Sequence, residues 1–252
     1  MPETVLGWHQ RYVQQANWTR DLARYLFQKL NLSSPLVILE VGCGTGAVIQ
    51  EILKPLQAIS FGLDINPEYL NFTFQQQLTA NLIQGDAHHL PLTGGAFDVC
   101  ICHFLLLWVT DPGEVVKEMH RVTRPGGVVI ALAEPDYGGR IDFPQELSLV
   151  GDWQKESLRQ QGADPLIGRK LRSILSKSGL VNVEAGVLGG EWKSGSADVH
   201  TGEWAILRDD LSDNPQRLAQ LEALSDLDIQ AWEHGDRVLY VPTFYALGRV
   251  PE

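Results

Sequence analysis

The chain has 252 residues, a formal net charge of −11, 44% hydrophobic and 20% charged residues, ordinary values for a globular protein long enough to bury a core without staples. The negative charge leaves no basic stripe to displace counterions from a phosphate backbone, which excludes nucleic acid as an expected partner. The acidity reads mainly as a solvated surface, with a cationic substrate as the alternative.

The segment MPETVLGWHQ carries no charged-then-apolar leader, and no apolar stretch long enough to cross a membrane occurs. Cys43, Cys100 and Cys102 form neither a paired disulfide framework nor a zinc-site spacing. The expectation is a soluble, cytoplasmic protein without metal or membrane insertion, its thiols buried in a reducing compartment.

In chain order, Trp18, Leu22, Tyr25, Leu26 and Leu30 fall at helical spacing and predict a helix over 17–30. Five short apolar runs follow: LVILEV (36–41), ISFGLDI (59–65), NLIQGDA (81–87), FDVCICHF (97–104) and GVVIALAE (127–134). Their near-continuous hydrophobicity predicts strands buried on both faces, as in a parallel sheet covered by helices. Between them, NPEYLNFTFQQQ offers Asn66 as N-cap with Pro67 next, and DPGEVVKEMHRV offers Asp111, Pro112 and Glu114 in the same way. RPGG (124–127) is expected to end that second helix before the fifth strand.

Beyond residue 135, PLIGRKLRSILSKSGL (165–180) predicts a helix ending at Gly179, and DNPQRLAQLEALSDLDIQAW predicts another. VNVEAGVL (181–188) and LYVPTFYALGRV (239–250) predict two strands that pair antiparallel at the sheet edge. The expected fold is α/β: a Rossmann-like doubly wound sheet of seven strands, mostly parallel with an antiparallel final strand, plus a helical cap and insertions.

LEVGCGTGAV (39–48) places Gly42, Gly44 and Gly46 straight after the first apolar run. With Ala47 they pass for G-x-G-x-x-A, and Asp64 stands where an acid would hold ribose hydroxyls in a dinucleotide fold. The glycines alone therefore leave a dinucleotide and S-adenosylmethionine both open.

Neighbouring features separate the two. Glu40 precedes the glycines in EVGCGTG, Asp64 ends the second run in GLDIN, and Asp86 sits in GDAHHLP (85–91). The next units read FDVCICHFLLLWV and MHRVTRPGGVVIALAEP. This ordered set resembles the class I S-adenosylmethionine-dependent methyltransferases, and is most similar to the small-molecule branch that includes the ubiquinone/menaquinone C-methyltransferases. The resemblance runs from about residue 36 to 135 and weakens beyond. It implies S-adenosylmethionine as cofactor and a role for each matching residue. Gly42, Gly44 and Gly46 let backbone approach the methionine tail, and Glu40 orients the turn. Asp64 accepts the ribose hydroxyls, bonds that are charge-assisted and therefore strong. Asp86 and Ala87 meet the adenine, Ile65 packs on its face, and Cys102 brings backbone near the sulfonium. A dehydrogenase would leave GDAHHLP and RVTRPGG without a role. A non-catalytic accessory subunit sits poorly with an intact glycine turn and ribose acid.

The expected acceptor is a small organic molecule, methylated at oxygen, nitrogen or carbon. After the fourth run stands CHFL, not the Asn/Asp-Pro-Pro-aromatic tetrad of nucleobase amino methylation, and neither Cys100 nor Cys102 follows proline as a cytosine C5 nucleophile does. His103 is the candidate base or acceptor-orienting residue, with a strand-end cap as the alternative. EPDYGGRIDFP (134–144) puts Asp136, Tyr137 and Arg140 on a glycine-hinged loop expected to border the acceptor, unless the glycines serve turn chemistry alone. Trp153, Trp192, Trp204 and Trp232 then read as an apolar pocket or as ordinary packing. Arg11 or Arg20 is a candidate partner for the methionine carboxylate, or a solvated helix residue. On this reading residues 1–252 form a single methyltransferase domain: an N-terminal helical cap (1–34), a cofactor-binding core (35–135) and acceptor-side loop, helices and edge strands (136–252). The acceptor's identity and the oligomeric state stay open.

Overall fold

The computed structural model describes residues 4–32, 35–78, 80–189, 204–205, 207–208, 211–212 and 214–252. They divide into two compact units: a sheet unit of residues 2–134, 167–188 and 243–252, and an insert unit of residues 135–166 and 189–242.

In the sheet unit, β1 (Val37–Val41), β2 (Ile59–Asp64), β3 (Ala80–Gln84), β4 (Phe97–His103) and β5 (Thr123–Pro135) are the five apolar runs of the sequence. They pair in parallel, β2 and β4 on either side of β1, with β3 outside β2 and β5 outside β4. Two further strands, β7 (Val181–Val187) and β9 (Thr243–Arg249), complete a seven-stranded sheet of order β3-β2-β1-β4-β5-β9-β7. β9 runs antiparallel to β7 and lies inside it, so the last strand of the chain is second from the edge. The winding reverses between β1 and β4. In open α/β sheets ligands bind beyond the carboxyl ends at that switch point.

Each strand splits its side chains between two apolar layers, as the period-two alternation of a strand requires. Leu39, Val41, Cys100, Cys102, Val129 and Ala131 face one layer with helices α3 (Pro112–Val122) and α5 (Leu171–Lys177). Ile38, Val99, Ile101, Val128 and Ile130 face the other, with helix α1 (Val5–Leu30) and the π-helical turn Ile49–Leu53. The helix expected over 17–30 thus begins at Val5, where the Thr4 hydroxyl accepts from the Gly7 N–H. Leu22, Leu26 and Leu30 are buried as expected, but Trp18 and Tyr25 are 58% and 53% exposed, so the apolar stripe is narrower than the spacing suggested.

Helix α2 (Pro67–Gln75) starts at Asn66, whose side chain accepts from the Glu68 N–H, and α3 starts at Asp111, accepting from Glu114 N–H. RPGG does not separate α3 from β5. The helix gives way directly to strand at Thr123, whose hydroxyl donates to the Met119 carbonyl, and RPGG is already strand. α5 is followed by Gly179 at φ +89°, a left-handed exit that glycine makes without a Cβ clash.

LYVPTFYALGRV, read as one strand, is two. Pro242 has no N–H to give a ladder, and strand ends at Tyr240 and resumes at Thr243. The first half, β8 (Val238–Tyr240), pairs antiparallel with β6 (Ile141–Phe143) in the insert unit. That unit also holds α4 (Ser148–Gln160) and α6 (Pro215–His234), the latter capped by Asn214. Its apolar cluster includes Leu147, Val150, Trp153, Trp204, Leu211 and Leu221.

Beside that cluster lies a chain of buried charges. Asp142 binds Arg140 Nε at 2.7 Å and Arg237 Nη2 at 2.8 Å. Arg237 Nε continues to Asp228 at 2.5 Å, and Asp228 accepts from the Trp204 indole N–H at 3.1 Å. Removing one member of a buried pair leaves a charge without compensation, which costs about 3–5 kcal/mol. Asp142→Ala should therefore lower the urea midpoint of unfolding by an amount equivalent to about 3 kcal/mol, and Asp142→Asn by less. An unchanged midpoint for the alanine variant would show that Gln154 and Asp228 suffice for the two arginines.

Candidate active site

After β1 the chain turns through Gly42, Gly44 and Gly46 at φ +74°, +51° and +76°. A Cβ on Gly42 would lie 2.7 Å from Leu105 Cδ1, and one on Gly46 2.6 Å from Thr73 Cγ2. A side chain at either position would force Leu105 or Thr73 to shift, in addition to the strain of a left-handed backbone. At Gly44 the nearest atom, on Tyr12, is 3.5 Å away, so only the backbone conformation demands glycine there. The turn is tied to β2: Gly42 and Cys43 N–H both donate to the Leu63 carbonyl (2.7 and 2.9 Å), and Gly44 N–H donates to Asp64 Oδ2 (2.7 Å). α1 reaches over it. His9 Nδ1 lies 2.9 Å from Thr45 Oγ1, and Tyr12 stacks on Trp8 and meets Tyr69 edge-on.

Three acids stand at consecutive strand ends. Glu40 is buried; it accepts from the Ile49 N–H, while Oε2 has no partner among the described residues. Burial, and then the charge of Asp64, push its pKa well above the usual carboxylate range. Asp64 Oδ1 accepts from Asn66 N–H at 2.8 Å, so two of the roughly four lone-pair positions of its carboxylate are engaged. Asp86 Oδ1 accepts from the backbone N–H and from Nδ1 of His88, and these bonds hold its pKa below the ordinary value. Ile65 beside Asp64 is 66% exposed, and Ala87 is partly buried against the core. Cys102 pairs with Val41 across β4 and β1; burial pushes its thiol up, so it is no nucleophile at neutral pH.

β4 ends in a constrained loop. By alternation His103 shares a face with Val99 and Ile101, the face covered by α1, and its Nε2 lies 3.0 Å from the hydroxyl of Thr19 on that helix. Burial drives the His103 pKa down to about 3. The ring is therefore neutral at physiological pH, and base strength is what burial removes. Phe104 follows at φ +51°, a conformation costly for a bulky side chain. Glu134, at the end of β5, holds the loop from below by accepting from the N–H groups of Leu105 (3.0 Å), Leu106 (2.8 Å) and Leu107 (3.2 Å). Burial raises its pKa to about 8 against those donors.

Sequence reasoning missed Glu134, although an acid inside an apolar strand was a visible signal. Nothing in the sequence pointed to Thr19. The structure brings together, within the sheet unit, the glycine turn, Glu40, Asp64, Ile65, Asp86, Ala87, Cys102 and His103 as strand ends and the turns that follow them. Asp136, Tyr137 and Arg140 belong to the insert unit. There Asp136 accepts from Gly138 N–H, Tyr137 N–H donates to the Pro165 carbonyl, and Arg140 binds Asp142 and Gln154. Trp153 and Trp204 are core residues of that unit, and Trp192 lies outside the described residues. Arg20 pairs with Glu51 and Asn17 on the α1 side.

Residues 39–131 match the family model described as a methyltransferase domain. A malonyl-[acyl-carrier protein] O-methyltransferase of Yersinia pestis is 34% identical over 49% of this chain and 46% of its own length. The chain thus spans about half the length of the first curated relatives it matches. A demethylmenaquinone methyltransferase of Geobacillus stearothermophilus is 30% identical over 66% of this chain and 78% of its own length. The chain belongs to the class I S-adenosylmethionine-dependent methyltransferases. Among solved structures, an S-adenosylmethionine-dependent methyltransferase of Thermotoga maritima superposes with a TM-score of 0.57 at 16% identity, over 97% of this chain and 95% of its own, a likeness of fold.

Glu40 is a carboxyl group buried at a cost. Its folded-state pKa is raised, so its own contribution to stability is greatest below the ordinary value of 4.5 and is lost as pH rises through the raised one. Glu40→Gln removes that titration. The ligand-free variant should melt no lower than the parent at about pH 7.5, and the difference should shrink towards about pH 4. A variant that melts well below the parent at neutral pH would mean that the ionised carboxylate is compensated in the ligand-free protein.

Proposed function

We propose that the chain is an enzyme that transfers the methyl group of S-adenosylmethionine to a small organic acceptor at oxygen, nitrogen or carbon. Glu40 carries the reading: a buried carboxylate beside the glycine turn with one oxygen unpartnered among the described residues. Such a group is costly unless a cation completes it. The α-ammonium of the methionine tail supplies that charge, whereas the pyrophosphate of a dinucleotide would be repelled. The rest of the site is assigned by motif position: backbone at Gly42, Gly44 and Gly46 for the tail, Asp64 for the ribose hydroxyls, Asp86 and Ala87 for the adenine edge, Ile65 for its face, and the backbone of Cys102 beside the sulfonium.

When bound, S-adenosylmethionine supplies an activated methyl carbon for in-line displacement. The protein's own contribution is then chiefly alignment. A base of pKa about 3 is a weak proton acceptor at neutral pH, so we assign His103 to orienting the acceptor as a neutral imidazole, its ring held by Thr19. Asp136, Tyr137 and Arg140, which follow β5 in the chain, are assigned to the acceptor side. The organic substrates named for the Yersinia and Geobacillus relatives and the net charge of −11 support an acceptor other than nucleic acid. We treat residues 1–252 as one methyltransferase domain, with 1–34 as cap, 35–135 as cofactor core and 136–252 as acceptor side. A cytoplasmic location accords with three buried free cysteines and with the absence, among the described residues, of a helix long and apolar enough to cross a membrane.

Calorimetry should show binding of S-adenosylmethionine and S-adenosylhomocysteine and none of NAD. Asp64→Ala should weaken both by about a hundredfold, the equivalent of about 2–3 kcal/mol of charge-assisted hydrogen bonding. NAD binding without either sulfur nucleoside would overturn the assignment. Turnover with labelled methyl donor across a chemically diverse acceptor panel identifies the substrate by product mass.

His103→Ala should leave S-adenosylhomocysteine affinity within about twofold while lowering turnover at least tenfold. Because the ring is neutral throughout, the parent's pH–rate profile between about pH 5.5 and 8 should contain no limb that this substitution removes. Loss of an acidic limb in His103→Ala would restore the base assignment; unchanged turnover would leave only the strand-end role.

A further inference from the structure

GDAHHLP contains a histidine that the roles above do not use. His88 N–H donates to Asp86 Oδ1 at 2.9 Å, and its ring Nδ1 lies 2.8 Å from the same oxygen. On the far side of the ring, Nε2 lies 3.3 Å from the Asp111 backbone N and 3.2 Å from Thr110 Oγ1. A backbone N–H only donates, so Nε2 carries the lone pair and Nδ1 the proton. The ring is thus a strut of fixed tautomer between the turn after β3 and the start of α3, where Asp111 itself accepts from Glu114 N–H. The Asp86–His89 bridge closes the turn from within.

We propose that His88 is a positioning residue for adenine recognition: by engaging Asp86 Oδ1 from one side it presents Oδ2 as the acceptor for the 6-amino group. Both described bonds to the carboxylate fall on Oδ1, and Oδ2 has no partner among the described residues. An ionised carboxylate accepts and cannot donate, so an oxygen held in place favours an amino group at that position and gains nothing from a hydrogen. Without the ring the half-exposed Asp86 side chain would keep only the bond from the His88 backbone N–H, and binding would have to order it further. The inference rests on the proposed use of S-adenosylmethionine.

The test compares two ligands by calorimetry: S-adenosylhomocysteine, and its analogue with hydrogen in place of the adenine 6-amino group. The parent should bind the first at least tenfold more tightly. His88→Ala should lose about five- to tenfold for S-adenosylhomocysteine and less than twofold for the analogue, collapsing the discrimination. His88→Gln, which retains one donor and one acceptor, should recover part of it. A merely structural histidine would weaken both ligands alike, and that result, or full discrimination kept in folded His88→Ala and His88→Gln, overturns the proposal. If the parent binds neither ligand, the cofactor reading itself falls and the role of His88 with it.

Discussion

The turn after β1 is held to the end of β2 by three N–H groups, those of Gly42 and Cys43 on the Leu63 carbonyl and that of Gly44 on Asp64. To make these bonds the backbone takes left-handed conformations at Gly42, Gly44 and Gly46 and passes too close to Leu105 and Thr73 for side chains at the outer two. The neighbouring elements are set by that geometry. Asp64 is fixed by the turn and by Asn66, Leu105 fills the space that Gly42 leaves, and α1 brings His9 and Tyr12 over Thr45 and Gly44. One glycine turn thereby joins five elements: β1, β2, α2, the loop after β4, and α1.

Two buried glutamates at strand ends do opposite work. Glu134 is satisfied by three N–H donors and braces a loop that contains a strained Phe104. Strain of that kind persists only where the surroundings over-determine the conformation. Glu40 keeps one oxygen unpartnered among the described residues and lies near a second acid, Asp64. Both oxygens of the first are used as acceptors that hold the loop. The second keeps a buried acceptor without a partner among the described residues, which costs stability.

His103 shows how tertiary packing changes chemistry. Its place at the end of β4 marks it as a base by position, but α1 covers the same face and Thr19 takes its Nε2. Desolvation disfavours the imidazolium, and a residue able to titrate near neutrality becomes a neutral hydrogen-bonding group.

By itself the sequence determined the parallel core, because strands buried on both faces must be apolar throughout, and the caps at Asn66 and Asp111, because those depend on residues only a few positions apart. It also determined the turn and its acids, whose spacing along β1 and β2 is local. What the tertiary structure decided were relations between distant segments. These include the division of LYVPTFYALGRV between β8 and β9, the seating of β9 inside β7, the exposure of Trp18 and Tyr25, Arg237 bound to Asp142 in a buried charge chain, Thr19 against His103, and Glu134 against the β4 loop. Burial and partner choice depend on what covers a residue, and in a doubly wound sheet the covering helix comes from far along the chain: 84 positions separate Thr19 from His103.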